Sequence, residues 1–129
     1  DAHIIVDPKI SVSEGHYIAE TARLAVLHHH HVLDVMVHID PEDDSSAKLN
    51  QHLPNREILI AHLGQRLGQA LPRHEKVVLH YLDGKAEAEI FLVSDVSREQ
   101  VVALKAAIAD LLQDDPFFVA IHLHQRHAP

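Results

Sequence analysis

Cysteine is absent from this 129-residue chain, and so are tryptophan and any long apolar run; methionine occurs once. Without cysteine there are no disulfides, and any metal must be held by nitrogen and oxygen. No stretch approaches the roughly 20 apolar residues that cross a bilayer, and no signal peptide is visible, so the sequence reads as a soluble chain. Basic residues are scarce as well. Eleven Lys and Arg stand against nineteen Asp and Glu, a formal charge of −8, which repels nucleic-acid phosphates and anionic headgroups and makes nucleic acid an unlikely partner class. The same negative field suits cations. Fourteen histidines exceed what packing needs, and neutral imidazoles near pH 7 are available ligands. A hydrophobic content of 47% suffices for one ordinary domain or two very small ones.

The most informative stretch is Val35-Met-Val-His38-Ile-Asp40-Pro41. Side chains two apart on a strand share a face, so His38 and Asp40 pair on one side while Val35, Val37 and Ile39 turn to a core. Upstream, residues 2–6 read as a β-branched strand closed by Asp7-Pro8. A helix capped by Ser11 or Ser13 then runs to about Leu27, with Ile18, Ala22, Ala25 and Leu24 as its apolar stripe. The run His28–His31 closes that helix, where imidazolium is mildly favourable.

The order of these segments, Asp1-Ala-His3-Ile-Ile-Val-Asp7, Val12-Ser-Glu-Gly-His16 and Val35-Met-Val-His38-Ile-Asp40-Pro41, resembles the cytoplasmic C-terminal domain of the cation diffusion facilitator (cation efflux) transporters. There a strand xHxxVD, a helix opening S-x-x-E-A-H and a strand V-x-x-H-x-D-P carry zinc ligands. The resemblance covers about residues 1–43 and implies metal ligation by His3, His16, His38 and Asp40, with Asp7 among the carboxylates that support them. It also implies a homodimer attached to an N-terminal transmembrane domain, on the cytoplasmic side of the inner membrane. The implied ion is Zn2+ or another divalent first-row metal such as Co2+, Ni2+, Fe2+ or Mn2+. The family ordinarily has a further helix and strand ahead of this point, so the first unit reads as truncated at its N-terminus.

Residues 44–55 are an acidic, turn-rich linker. Asn55 caps a helix from Arg56 to about Ala70 with Ile58, Leu59, Leu63 and Leu67 inward, and Gly64 and Gly68 leave room for a close neighbour. Asp83-Gly84 marks a two-residue hairpin between strands 76–82 and 85–93. The register pairs Leu82 with Lys85, His80 with Glu87 and Val78 with Glu89, leaving Val77, Leu79, Ala88, Ile90 and Leu92 on the core face. A helix from Ser97 to Leu112 and a strand from Phe118 to His124 finish the chain. In that strand, alternation from Phe118 puts Phe118, Ala120, His122 and His124 on one face and Val119, Ile121 and Leu123 on the core side.

Sliding the chain by 84 positions brings Val12 onto Val96, Ser13 onto Ser97, Leu27 onto Leu111 and His38 onto His122, which suggests an internal repeat. Residues 1–43 form a partial βαβ unit, and residues 56–129 a complete αββαβ unit, the layout the resembled family uses. The expected fold is therefore α+β: a duplicated ferredoxin-like, metallochaperone-like open-faced sandwich. If the register holds, His80, Glu87, Glu89, His122 and His124 line one exposed sheet face and suit the same metals.

No His-Glu-x-x-His helix, nucleophile elbow or phosphate-cradling loop occurs, so no catalytic residue is expected. The leading expectation is a metal-sensing, dimerising domain of an efflux transporter. A free-standing metal chaperone or sensor, and a metal-free dimerisation module, are the alternatives.

Overall fold

A computed structural model describes residues 1–29 and 31–126; His30, inside the His28–His31 run, lies outside the described residues. The fold is α+β, with three helices and two sheets in the manner of a ferredoxin-like sandwich. The chain divides into two compact units, Asp1–Lys48 and Leu49–Pro129.

In the first unit, strand β1 (Ala2–Ile5), helix α1 (Val12–His29) and strand β2 (Val37–Asp40) form a parallel βαβ. Register places His3 opposite His38 and Ile4 opposite Ile39. Ser11 is the helix cap, its hydroxyl accepting from the Glu14 N–H at 3.1 Å, and Glu14 adds negative charge to the first turn. The helix packs on the Ile39 face of the strands: a Cβ placed on buried Gly15 would sit 3.5 Å from Ile39 Cγ2. The sheltered stripe is Gly15, Ile18, Ala19, Ala22 and Val26, whereas Leu24 and Ala25, expected inward, face solvent. The closing strand is also shorter than expected. Residues 33–36 are irregular, with a bend at Leu33; Asp34 accepts from the Val35 N–H and pairs with Arg23 at 3.3 Å, and the strand begins only at Val37.

The second unit runs α2 (Arg56–Leu67), a single 3₁₀ turn, β3 (His74–Leu82), β4 (Lys85–Leu92), α3 (Arg98–Asp114) and β5 (Phe118–Gln125). Its sheet order is β3-β4-β5, with β3 and β4 antiparallel and β4 and β5 parallel. The hairpin follows the expected register, including Val78 opposite Glu89 and His80 opposite Glu87. Asp83 and Gly84 both take positive φ, 51° and 74°, as the two central residues of a type I′ turn must. Both helices cover one sheet face. Leu59, Leu63, Leu67, Leu104, Ile108 and Leu111 meet Val77, Ala88, Ile90, Leu92, Phe118 and Ile121 in one core.

Three expectations for this unit are corrected. Ile58 is 54% exposed, because the inward stripe of α2 starts at Leu59. Nothing lies within 4 Å of a Cβ built on Gly64 or Gly68; Gly68 instead takes φ 53° and ends the helix, a conformation glycine adopts without penalty. Phe118 is 2% exposed and Val119 56%, the reverse of simple alternation. The pairing steps from Ala86–Phe118 to Glu87–Ala120, so Val119 is an extra residue that shifts the strand's phase.

Helix α3 carries a complete capping box. Ser97 accepts from the Gln100 N–H, and the Gln100 side chain accepts from the Ser97 N–H. Ser97→Ala is expected to cost about 1 kcal/mol, read as a lower urea midpoint at unchanged slope.

Candidate metal centre

Alternation along β1 and β2 sends Ala2, Ile4, Val37 and Ile39 toward α1 and His3, His38 and Asp40 to the opposite face. There the His3 and His38 rings stack, with centroids 4.6 Å apart and planes 10° from parallel. The parallel register that sets the two residues opposite one another accounts for this stacking. Asp40 Oδ2 lies 2.8 Å from His3 Nδ1. Asp1 closes the other side, 3.1 Å from His38 Nε2 and 3.9 Å from His3 Nε2. Asp1, His3 and His38 offer three donor atoms all within 4.8 Å of one another, the only such group of three or more among the described residues.

The hydrogen bond to Asp40 has a chemical consequence. A neutral His3 that donates Nδ1–H to the carboxylate carries its lone pair on Nε2, on the side of Asp1. A carboxylate behind a histidine in this way fixes the ring and raises its basicity as a ligand. Two imidazoles and one or two carboxylates fit a borderline divalent ion of the zinc type. Beside His3 and Asp40 a cleft of about 210 Å³ is lined by Ile5, Glu42, Asp43, Asp44 and Ser45, so the cluster opens onto carboxylates. The Ser45 hydroxyl and N–H both donate to Asp43 and hold its carboxyl below the ordinary range.

His16 is not part of this cluster in one copy of the chain. It sits in the first turn of α1 and lines an apolar groove of about 440 Å³ with Val6, Ile10, Val37 and Ile39, on the helix side of the strands. Asp7 lines the same groove. Asp1 is the cluster member that sequence reading left out, although its signal was present: it stands two residues before His3 and therefore on the same face.

In the second unit, Glu89 lies between two imidazoles. His80 Nε2 is 2.7 Å from Oε2, and His124 Nε2 is 3.0 Å from Oε1. The His80 hydrogen bond is the main influence holding Glu89 below the ordinary glutamate range; partial burial opposes it and the His124 bond adds to it. The His124 ring also stacks on Phe91, at 4.5 Å. His122 is exposed and faces Glu89 across the ladder, and Glu87 is half-buried opposite His80 and Ala120; hydrogen bonds join His80, Glu89 and His124.

A further cluster, not legible in the sequence, ties the two helices of this unit. The Asp115 side chain, fully buried, accepts from His62, from Arg66 at 3.2 Å and from the N–H groups of Phe117 and Phe118.

Comparison with known proteins agrees with the order of motifs at the start of the chain. The family model for the cytoplasmic domain of cation efflux proteins matches residues 1–42, so the resemblance read from the motifs is borne out over that segment. Over 40 residues, 31% of this chain, the sequence is 45% identical to an uncharacterized transporter, YdbO, of Bacillus subtilis (strain 168). Those residues span 14% of that relative's length. No solved structure matches the chain. The matched family is a transporter domain and not a class of enzyme, and no helix among the described residues is long and apolar enough to cross a membrane.

Proposed function

We propose that this chain provides a cytoplasmic regulatory domain of a divalent-cation efflux transporter, one that binds a zinc-type ion and dimerises in response. The observation that carries the reading is the stacked His3–His38 pair flanked by Asp1 and Asp40, which lies inside the segment similar to cation efflux proteins. Asp1, His3 and His38 hold the ion, and Asp40 orients His3 or joins the ligand set as the ion settles. His16, on the other face, is left for a second ion or for a ligand set completed by another copy.

The physical logic of gating is differential affinity. An ion that bridges two copies binds the closed dimer more tightly than the open one, and occupancy then shifts the population toward the closed state. The transporter attachment and the cytoplasmic placement rest on the family likeness of residues 1–42.

The test is calorimetric zinc titration of the metal-free protein beside a His38→Ala/Asp40→Ala double variant, with oligomeric state followed by light scattering. The expected result is micromolar or tighter binding by the parent, loss of one whole site in the variant, and zinc-dependent dimerisation in the parent only. Identical titrations would move the binding elsewhere and end this assignment. Binding without any change in mass would end the gating part of it.

A further inference from the structure

The two edges of the second unit's sheet are finished differently. β3, at one edge, is covered by the segment that leads into α2. The Arg56 guanidinium donates to the Val77 carbonyl at 2.7 Å, the Asn50 amide to the Tyr81 carbonyl at 3.1 Å, and the Tyr81 hydroxyl to the Pro54 carbonyl at 3.0 Å. Asn50 also accepts from the Gly84 N–H at 2.7 Å, which holds the segment against the hairpin. Covering an edge in this way is one of the means by which proteins keep foreign strands off it.

β5, at the other edge, pairs with β4 alone among the described strands. The Ala86 N–H donates to the Phe117 carbonyl, so Ala86 turns its backbone groups toward β5, and alternation sends those of Ala88 and Ile90 the same way. In a parallel ladder such residues bond the two neighbours of the residue they face, and the faced residue turns its own N–H and C=O outward. Ala88 faces Ile121 and Ile90 faces Leu123. Ile121 and Leu123 therefore present their backbone groups along the open edge. The usual guards are missing: Phe118 to Gln125 holds no proline, lysine, arginine or acid, and the apolar Val119 is 56% exposed.

We propose that β5 pairs antiparallel with β5 of a second copy of this chain, joining two three-stranded sheets into one. Charge selects a second copy at this edge. Each chain carries a formal charge of −8, so two copies repel wherever their acids meet, but β5 laid against itself sets no formal charges opposite one another. The strand is also self-complementary. A two-fold axis at Ile121 sets Ile121 against its own mate, Val119 against Leu123 and His122 against Ala120. The outward-turned residues then meet as hydrogen-bonded pairs. Each exposed imidazole of His122 faces an alanine instead of another imidazole, and Val119 gains an apolar neighbour.

This pairing needs no metal and does not rest on the function proposed for the first unit. One edge of backbone bonds set against the cost of bringing two molecules together makes it weak for the free chain. It forms at protein concentrations above those of the zinc titration. Where two copies are already held together, the pairing becomes intramolecular and its effective concentration rises.

The experiment is sedimentation equilibrium of the full chain, with a chelator present, from micromolar to near-millimolar protein, beside amide hydrogen exchange at both ends of that range. The expected result is a reversible rise toward twice the monomer mass, with exchange at Ile121 and Leu123 slowed about tenfold or more at the high end. Val119→Lys places a charge on the seam at an exposed position. It is expected to weaken association about tenfold or more with an unchanged circular dichroism spectrum. Val12→Lys, at a position of the first unit that is 91% exposed, is expected to leave association as it was. A monomer at every concentration, or a dimer equally tight in Val119→Lys, overturns the proposal. Dissociation by Val12→Lys alone also overturns it, since the contact then belongs to the first unit.

Discussion

Asp115→Ala is expected to lower the stability of the second unit by about 3 kcal/mol or more, a drop in Tm of about 10 °C or more for a domain of this size. The carboxylate closes the junction between α3 and β5. It accepts from the Phe117 and Phe118 N–H groups at 2.9 and 2.8 Å, and from His62 and Arg66 of α2. Removing it leaves two backbone donors without their acceptor and a partly buried guanidinium with only Asp114. Hydrogen bonds to a charged group are worth about 1.5–3 kcal/mol, and stripping one partner from a buried pair costs about 3–5. Asp115→Asn keeps one acceptor oxygen and is expected to cost about half as much.

The same residue has a pH signature. Burial is the strongest influence on its carboxyl and pulls it up, but the hydrogen bonds from Phe118, His62 and Phe117 together outweigh it and hold the group below the ordinary aspartate range. A carboxyl lowered in the folded state stabilises fully at pH above its unfolded value, and that contribution is lost as pH falls through the folded value. The parent is therefore expected to lose stability in acid more steeply than Asp115→Asn, so that the two urea midpoints converge below about pH 4. Parallel midpoints down to pH 2 would show that the charge contributes nothing.

Leu104→Ala is expected to cost about 2–5 kcal/mol, the range for emptying a well-packed leucine site. Leu104 has no exposed surface and, with Leu59, Ile90 and Leu111, is among the largest of the most deeply buried side chains of the described residues. At the 84-residue offset the corresponding position of α1 is Glu20, which is exposed, and the position matching Ile108 is Leu24, 49% exposed. Substituting Leu24 is expected to change stability by less than about 0.5 kcal/mol, as at other surface positions. Urea denaturation of the pair checks both. A Leu104→Ala cost under 1 kcal/mol would mean that the site collapses around the lost methyls.

How far the fold could be read in advance depended on whether its cause was local. The Asp83-Gly84 turn fixes the β3–β4 register through two positive φ angles, so Val78–Glu89 and His80–Glu87 followed from the sequence. Ser97 and Asn55 announced their helices through a hydroxyl and an amide oxygen aimed at nearby N–H groups. Features that need distant partners were misread or missed. Ile58 and Leu59 look alike as letters, and which of them is buried depends on the angle at which α2 meets the sheet. His62 and Asp115 are 53 positions apart, and no spacing rule joins them. In the candidate site of the first unit, the pairing of His38 with Asp40 on one face was local and legible. The stacking of His3 on His38 depends on the parallel register and was not.

The extra residue at Val119 decides which side chains of β5 reach the core. An insertion in a strand ordinarily turns every later side chain to the other face. Here Phe118 and Ile121 both reach the core although they are three apart, and His122 and His124 still point away from it. The irregularity absorbs the odd residue before the imidazoles begin. Strict alternation from the buried Phe118 would have turned His122 and His124 into the apolar core; the one extra residue keeps both imidazoles on the surface of the sheet.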